Sequence, residues 1–159
     1  MKRLILMRHA KSDWSAGLED HERPLNPRGR EAAPRMAAWL KAEGLIPDAA
    51  LISDSERTTE TFARMQPELG AIPVTKDATL YLASPDQMLQ TIQTRGTGDT
   101  LLIVAHQPGT GLLAHRLDSD APEDIPTAAV LVFDHDGEWQ GLSRATLTHY
   151  QTPKKLPKT

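Results

Sequence analysis

The stretch "RLILMRHAKS", residues 3 to 12, decides how this sequence is read. Leu4 to Met7 make an apolar run that can be buried on both faces, and the run ends abruptly in Arg8 and His9. Either group is expensive to bury without a partner. The run must therefore deliver them to a place where something offsets that cost.

Runs of the same kind recur at "AALIS" (49 to 53), "TLLIVA" (100 to 105) and "AAVLVF" (128 to 133), with longer helix-like segments between them. Continuous apolar runs, unlike alternating ones, mark strands covered on both sides. The alternation of such runs with helices predicts a three-layer α/β/α sandwich around a mostly parallel sheet. Asn26 as cap and Pro27 at the first position predict a helix whose buried face is Ala33, Met36, Ala37 and Leu40, ended by Gly44 and Pro47. Pro34 lies inside it and is expected to kink the helix or delay its start. A second helix is expected over Ser55 to Gln66, stopped by Pro67. Ser84 and Gln87 form a capping box with Pro85 at the start of a third, and a fourth is expected after "HQPGTG". Asp136 and Gly137 in "DHDGEW" predict a hairpin turn joining the last two strands, which gives the sheet an antiparallel strand near the C-terminus. The stretch "QTPKKLPKT", 151 to 159, carries three lysines and two prolines and reads as a surface strap or a loose end.

The 159 residues fit one domain, 1–159, able to remove roughly 70% of its unfolded surface from water. With 39% hydrophobic and 25% charged residues a packed core is expected. The net charge of −3 gives no general attraction to nucleic acid or an anionic membrane, so an anion site must be built locally from a few cations. The apolar runs fall far short of the ~20 residues of a membrane helix, and the first is too short for a signal-peptide core. The absence of cysteine excludes disulfides, thiol nucleophiles and cysteine zinc sites. A cytoplasmic location and a monomer are the expectations, with neither nucleic acid nor membrane as partner.

Ligands of open α/β sheets bind beyond the carboxyl ends of the strands. There this sequence places Arg8 and His9, then Ser53 and Arg57 in "SDSER", then His106 in "AHQPG". His21, His115, His135 and His149 read as ordinary structural or surface histidines. A cation in the first turn of a helix opposes the helix dipole, so Arg57 makes sense if an anion lies between it and the helix. Guanidinium forks and helix N-termini together make a phosphate cradle. With a phosphate held there, one imidazole can attack phosphorus, and the other, protonated, can stabilise charge on the equatorial oxygens. The nucleophile must be neutral at one nitrogen, favoured by the neighbouring arginines, while its remaining N–H donates to a backbone carbonyl.

"LMRHAKS", "SDSERTTET" and "VAHQPG" together resemble the histidine phosphatase, or phosphoglycerate-mutase-like, superfamily, and in length and order the SixA-type phosphohistidine phosphatases. "ERPLNPRG" and "IPTAAVLVF" extend the likeness across nearly the whole chain. The resemblance implies that His9 is the phosphorylated nucleophile and that Arg8, Arg57 and His106 form the phosphate pocket, with Ser53 shaping the turn before Arg57. Lys11, Ser12 and Arg23 lie in the matching loop as candidate contacts to the phosphate or leaving group. Ala10 stands where the family usually has glycine. Gln107 follows His106 where the acid-phosphatase branch has aspartate. Asp77, Tyr81 and Asp86 lie where the mutase branch draws a glutamate, with no clear match.

A missing acid favours a substrate whose leaving group needs little help, since an imidazole departs from phosphorus far more easily than an alkoxide. The expected function is removal of phosphate from phosphohistidine in a protein. The alternatives are a phosphomonoesterase acting on a small phosphorylated molecule, with Asp13, Glu19 or Asp77 as acid, and a non-catalytic phosphate-binding module. No HExxH or paired-histidine spacing appears, so neither a metal nor a cofactor is expected.

Overall fold

In the computed structural model, which describes residues 1–157, six strands and four helices account for most of the chain. Strand β1 is Lys2–Arg8, β2 Ala49–Ser53, β3 Val74–Asp77, β4 Thr100–Ala105, β5 Val130–His135 and β6 Thr146–Gln151. Helix α1 is Pro27–Ala42, α2 Glu56–Leu69, α3 Pro85–Arg95 and α4 Gly109–Leu117. The sheet order is β3-β2-β4-β1-β5-β6. The first four strands of that order are mutually parallel, β5 runs antiparallel to β1, and β6 antiparallel to β5.

The continuous apolar runs are explained by two cores. On one face Leu4, Leu6, Leu101 and Ile103 pack under α3 and α4 through Met88, Ile92, Leu113 and Leu117. On the other, Ile5, Met7, Leu102 and Val104 pack under α1 and α2 through Met36, Leu40, Phe62 and Met65. Successive residues of β1 thus alternate between two buried layers, and removing a fully buried Leu or Ile side chain here would cost about 2–5 kcal/mol.

Several sequence expectations are corrected. Pro34 lies inside α1 without delaying its start: Asn26 still caps the helix, accepting from the Gly29 N–H. The carbonyl that Pro34 leaves without a donor belongs to exposed Arg30, where water can serve it. Pro67 does not stop α2, which continues to the buried Leu69 and closes at Gly70, φ +84°. Helix α4 begins within "HQPGTG", at Gly109, instead of after it. The connection between β5 and β6 is no two-residue hairpin. It holds a 3-10 turn at Trp139–Gly141, because the Trp139 ring is buried and its N–H donates to the Gly98 carbonyl at 2.9 Å. Strand β3 escapes the hydrophobic pattern, since Val74, Thr75 and Lys76 are exposed on the sheet edge. Of the basic C-terminal stretch, Pro153–Lys155 form a 3-10 turn, and residues 158 and 159 lie outside the described residues.

The long loop after β1 is tied down by its own backbone. Ser12 bridges Leu25, and the Asn26 N–H donates to the Lys11 carbonyl at 2.9 Å. Gly29 presses its Cα against the Lys11 backbone, where a Cβ would meet the Lys11 nitrogen at 2.9 Å.

Candidate active site

The carboxyl ends of β1, β2 and β4 converge on a cavity of about 370 Å³. Arg8, His9, Arg57 and His106 all line it, with Lys11, Ser12 and Arg23 from the loop after β1. None of the residues lining it is Asp or Glu.

His9 leaves β1 with its N–H donating to the Ala105 carbonyl at 3.0 Å, which couples it to the end of β4. Its ring is almost fully buried. Nδ1 lies 2.7 Å from the Ala10 carbonyl, and Arg57 Nε donates to Nε2 at 3.4 Å. A guanidinium can only donate, so Nε2 carries the lone pair and the ring proton sits on Nδ1. That is the tautomer expected of a nucleophile. Burial, reinforced by Arg57, Arg8 and Arg23 and opposed by the bond to Ala10, lowers its pKa to about 4. Burial outweighs the arginine charges that the sequence reading put first. Ala10 fits without the glycine usual at its position because its backbone is not in the left-handed region, and its N–H donates to Thr61 Oγ1 at 3.0 Å.

His106 follows β4 and faces His9 with ring centroids 5.4 Å apart. Arg57 Nη2 donates to its Nδ1 at 3.3 Å, so Nε2 holds the proton and donates to Ser53 Oγ at 2.8 Å. Burial first, then His9 and Arg57, lower its pKa to about 3. Without an anion beside it His106 is therefore neutral, whereas the protonated second imidazole of the sequence reading was expected with a phosphate held. One edge of the Arg57 guanidinium thus spans both imidazoles, while Nη1 donates to the Asp20 carbonyl at 2.6 Å.

Arg8 Nη1 donates to the Ile125 carbonyl at 2.8 Å, while its buried Nε has no acceptor among the described residues. Burial lowers the pKa of Arg8, partly opposed by Asp124. Arg23 is buried, donating to Ser12 Oγ at 2.6 Å and to Asp20 Oδ1 at 3.0 Å. Lys11 lines the cavity from an exposed position.

The candidate acids are elsewhere. Asp13 Oδ1 accepts from the N–H and hydroxyl of Ser15, which lowers its pKa. Glu19 is exposed just before the 3-10 turn Asp20–Glu22, and neither it nor Asp13 lines the cavity. Asp77 and Asp86 face Arg95 and Arg116 at 3.1 and 2.6 Å, outside the cavity lining. Gln107 lines the cavity, but its amide is held at both ends, donating to the Glu123 carbonyl and accepting from the Gly111 N–H.

Asp20 went unrecognised in the sequence. It accepts from Arg57 Nη2 at 3.0 Å, from Arg23 and from the Tyr81 hydroxyl. Tyr81 first, then both arginines, hold its carboxyl far below the usual range, with partial burial opposing. A carboxyl kept ionised this firmly orients arginines and cannot supply a proton near neutral pH. Nothing in "LEDHERP" separates it from Glu19 and Glu22; only the fold brings Tyr81 and Arg57 to it. Among the described residues no three His, Asp or Glu side chains are grouped to hold a metal ion, and no helix is long and apolar enough to cross a membrane.

The sequence profile of the histidine phosphatase superfamily (branch 1) matches residues 4–81. Over 161 aligned residues the chain is 34% identical to an uncharacterized protein of Mycobacterium tuberculosis, covering 93% of this chain and all of that one. The crystal structure of a provisionally assigned phosphohistidine phosphatase SixA from Agrobacterium tumefaciens superposes with a TM-score of 0.83 at 25% identity, over 96% of this chain and 98% of that chain. The protein histidine phosphatase SixA complexed with tungstate shares the fold, with a TM-score of 0.83 at 22% identity over 98% and 99% of the two chains.

Proposed function

This chain belongs to the histidine phosphatase superfamily, and from that premise we propose that it removes the phosphoryl group from phosphohistidine in a protein through a phosphorylated His9, without a metal ion. The observation that carries the choice of substrate is a cavity lined by arginines and histidines with no carboxyl group to act as acid.

His9 Nε2, the ring nitrogen with the lone pair, attacks phosphorus. The substrate P–N bond breaks as the new one forms. When the far nitrogen of the substrate imidazole carries a proton, that imidazole leaves neutral and no proton need be supplied. Phosphorylated His9, with Nδ1–H held by the Ala10 carbonyl, is the same species with the roles exchanged. Water then attacks phosphorus, its protons leave on dihydrogen phosphate, and His9 returns to its starting tautomer. An alkoxide leaving group would break this symmetry, because one proton would have to come from an acid.

The other groups stabilise the moving charge. Arg57 presents Nε and Nη2 between the imidazoles, and Arg8 in the cavity wall adds a second positive charge beside the phosphoryl group. A phosphoryl dianion raises the pKa of His106, which then donates from Nδ1 while Ser53 keeps Nε2–H. Lys11, Ser12 and Arg23 line the cavity from the loop after β1 as candidate contacts to the phosphoryl or leaving group.

The deciding test compares kcat/KM for a phosphohistidine-bearing protein with that for simple phosphomonoesters, in the presence of excess chelator. Preference for phosphohistidine is expected; faster monoester turnover would reassign the enzyme as a phosphomonoesterase, and loss of activity to chelator would end the metal-independent mechanism.

A further inference from the structure

A second and larger depression, of about 940 Å³, lies beside the catalytic cavity, between the first half of α1 and the C-terminal turn Pro153–Lys155. It is lined by five basic residues, Lys11, Arg28, Arg35, Lys154 and Lys155, against one carboxylate, Glu31. None of the five forms an ion pair among the described residues, whereas Arg3, Arg30, Arg64, Arg95 and Arg116 each reach a carboxylate. In a chain of net charge −3 this is a local concentration of positive charge. Ala32, Pro126 and Leu156 add apolar surface to its lining.

Two residues, Lys11 and Thr127, line both depressions. A chain whose phosphorylated side chain enters the catalytic cavity can therefore continue directly into the basic one. We propose that this groove holds an acidic segment of the phosphorylated protein, interspersed with apolar side chains, that adjoins the phosphorylated residue. The proposal rests on the reading of the catalytic site as one that acts on a protein. Charge complementarity selects the occupant: exposed charges at such a rim speed encounter and exclude partners of like sign. A nucleic acid strand fits less well. Single-strand binding relies on aromatic faces for base stacking, and the Tyr150 ring in this groove is already covered by Lys155 Nζ, 4.4 Å from its centroid.

The test titrates the full chain into a fluorescein-labelled peptide of alternating glutamate and leucine, the same peptide with lysine for glutamate, and a labelled single-stranded oligonucleotide. Anisotropy is followed at low and near-physiological salt. The acidic peptide is expected to bind and to weaken with salt. Arg28→Glu and Lys154→Glu, both on exposed residues, should each raise its Kd about 5-fold and together about 25-fold. Hydrolysis of p-nitrophenyl phosphate should stay unchanged in both variants, which also reports correct folding. Equal binding of the two peptides, indifference to the charge reversals, or preference for the oligonucleotide would each overturn the proposal. The comparison of a phosphohistidine-bearing protein with simple monoesters tests the catalytic reading separately: faster monoester turnover with intact acidic-peptide binding would reject that reading and keep the groove.

Discussion

Replacing Ser53 with alanine removes the acceptor of the His106 Nε2–H and leaves that donor buried, because Ser53 is fully buried and His106 is 2% exposed. A buried donor left without a partner costs about 1–3 kcal/mol. For a domain of this size each kcal/mol moves the melting temperature by roughly 2–4 °C, so Ser53→Ala should melt about 2–12 °C lower. The same change frees the tautomer. With Ser53 gone, only the longer 3.3 Å contact from Arg57 Nη2 to Nδ1 favours Nε2–H, and a misplaced ring proton should lower kcat about tenfold, equivalent to ~1.4 kcal/mol of transition-state stabilisation. Thermal melts, steady-state hydrolysis of an aryl phosphate and nitrogen NMR of the labelled imidazole give three separate readings. An unchanged melting temperature together with an unchanged His106 tautomer would refute the assignment of Ser53 as the group that fixes this ring.

His9→Ala should abolish turnover by roughly 10³-fold or more, and trapping of the wild type with acetyl phosphate followed by an alkaline quench should find acid-labile phosphate on His9. Unfolded histidines take up protons near pH 6.5, but folded His9 and His106 only near 4 and 3. Between these limits the unfolded state binds more protons, so stability falls as pH drops from 6.5 towards 4; urea unfolding at pH 7 and pH 5 measures it, and His9→Ala should flatten the slope. Asp20 adds to the loss only from about pH 5 downward, where the unfolded carboxyl begins to take up a proton while the folded one stays ionised. Gly29→Ala forces a methyl into the Lys11 backbone and should cost about 1–3 kcal/mol, read as a lower denaturation midpoint, with KM raised more than kcat because the displaced loop carries Lys11 and Ser12.

What the sequence made legible was the part written in hydrophobic runs. Leu4 to Met7 and Leu101 to Val104 bury both faces, so their ends could be found and with them Arg8, His9 and His106. Strand β3 has no such run, since it is an exposed edge whose pairing with Ala50–Ser53 is a backbone matter. Neither Pro34 nor Pro67 ends its helix, because one missing backbone bond is outweighed by the buried faces of Met36, Leu40 and Leu69. Asp20 was invisible for a different reason: its significance comes from Tyr81, 61 residues away, and from Arg57, 37 residues away. Ser53 could be placed near the turn, and Thr58 does bond its carbonyl at 2.7 Å, yet its hydroxyl serves a histidine on another strand.

The three guanidinium groups of Arg8, Arg23 and Arg57 around one cavity bear on product inhibition. They attract orthophosphate by the same charge that attracts a phosphoryl group, so the released product should compete for the pocket. Rates measured in phosphate buffer would then understate the enzyme, and in a cell its output would fall as the free phosphate pool rises.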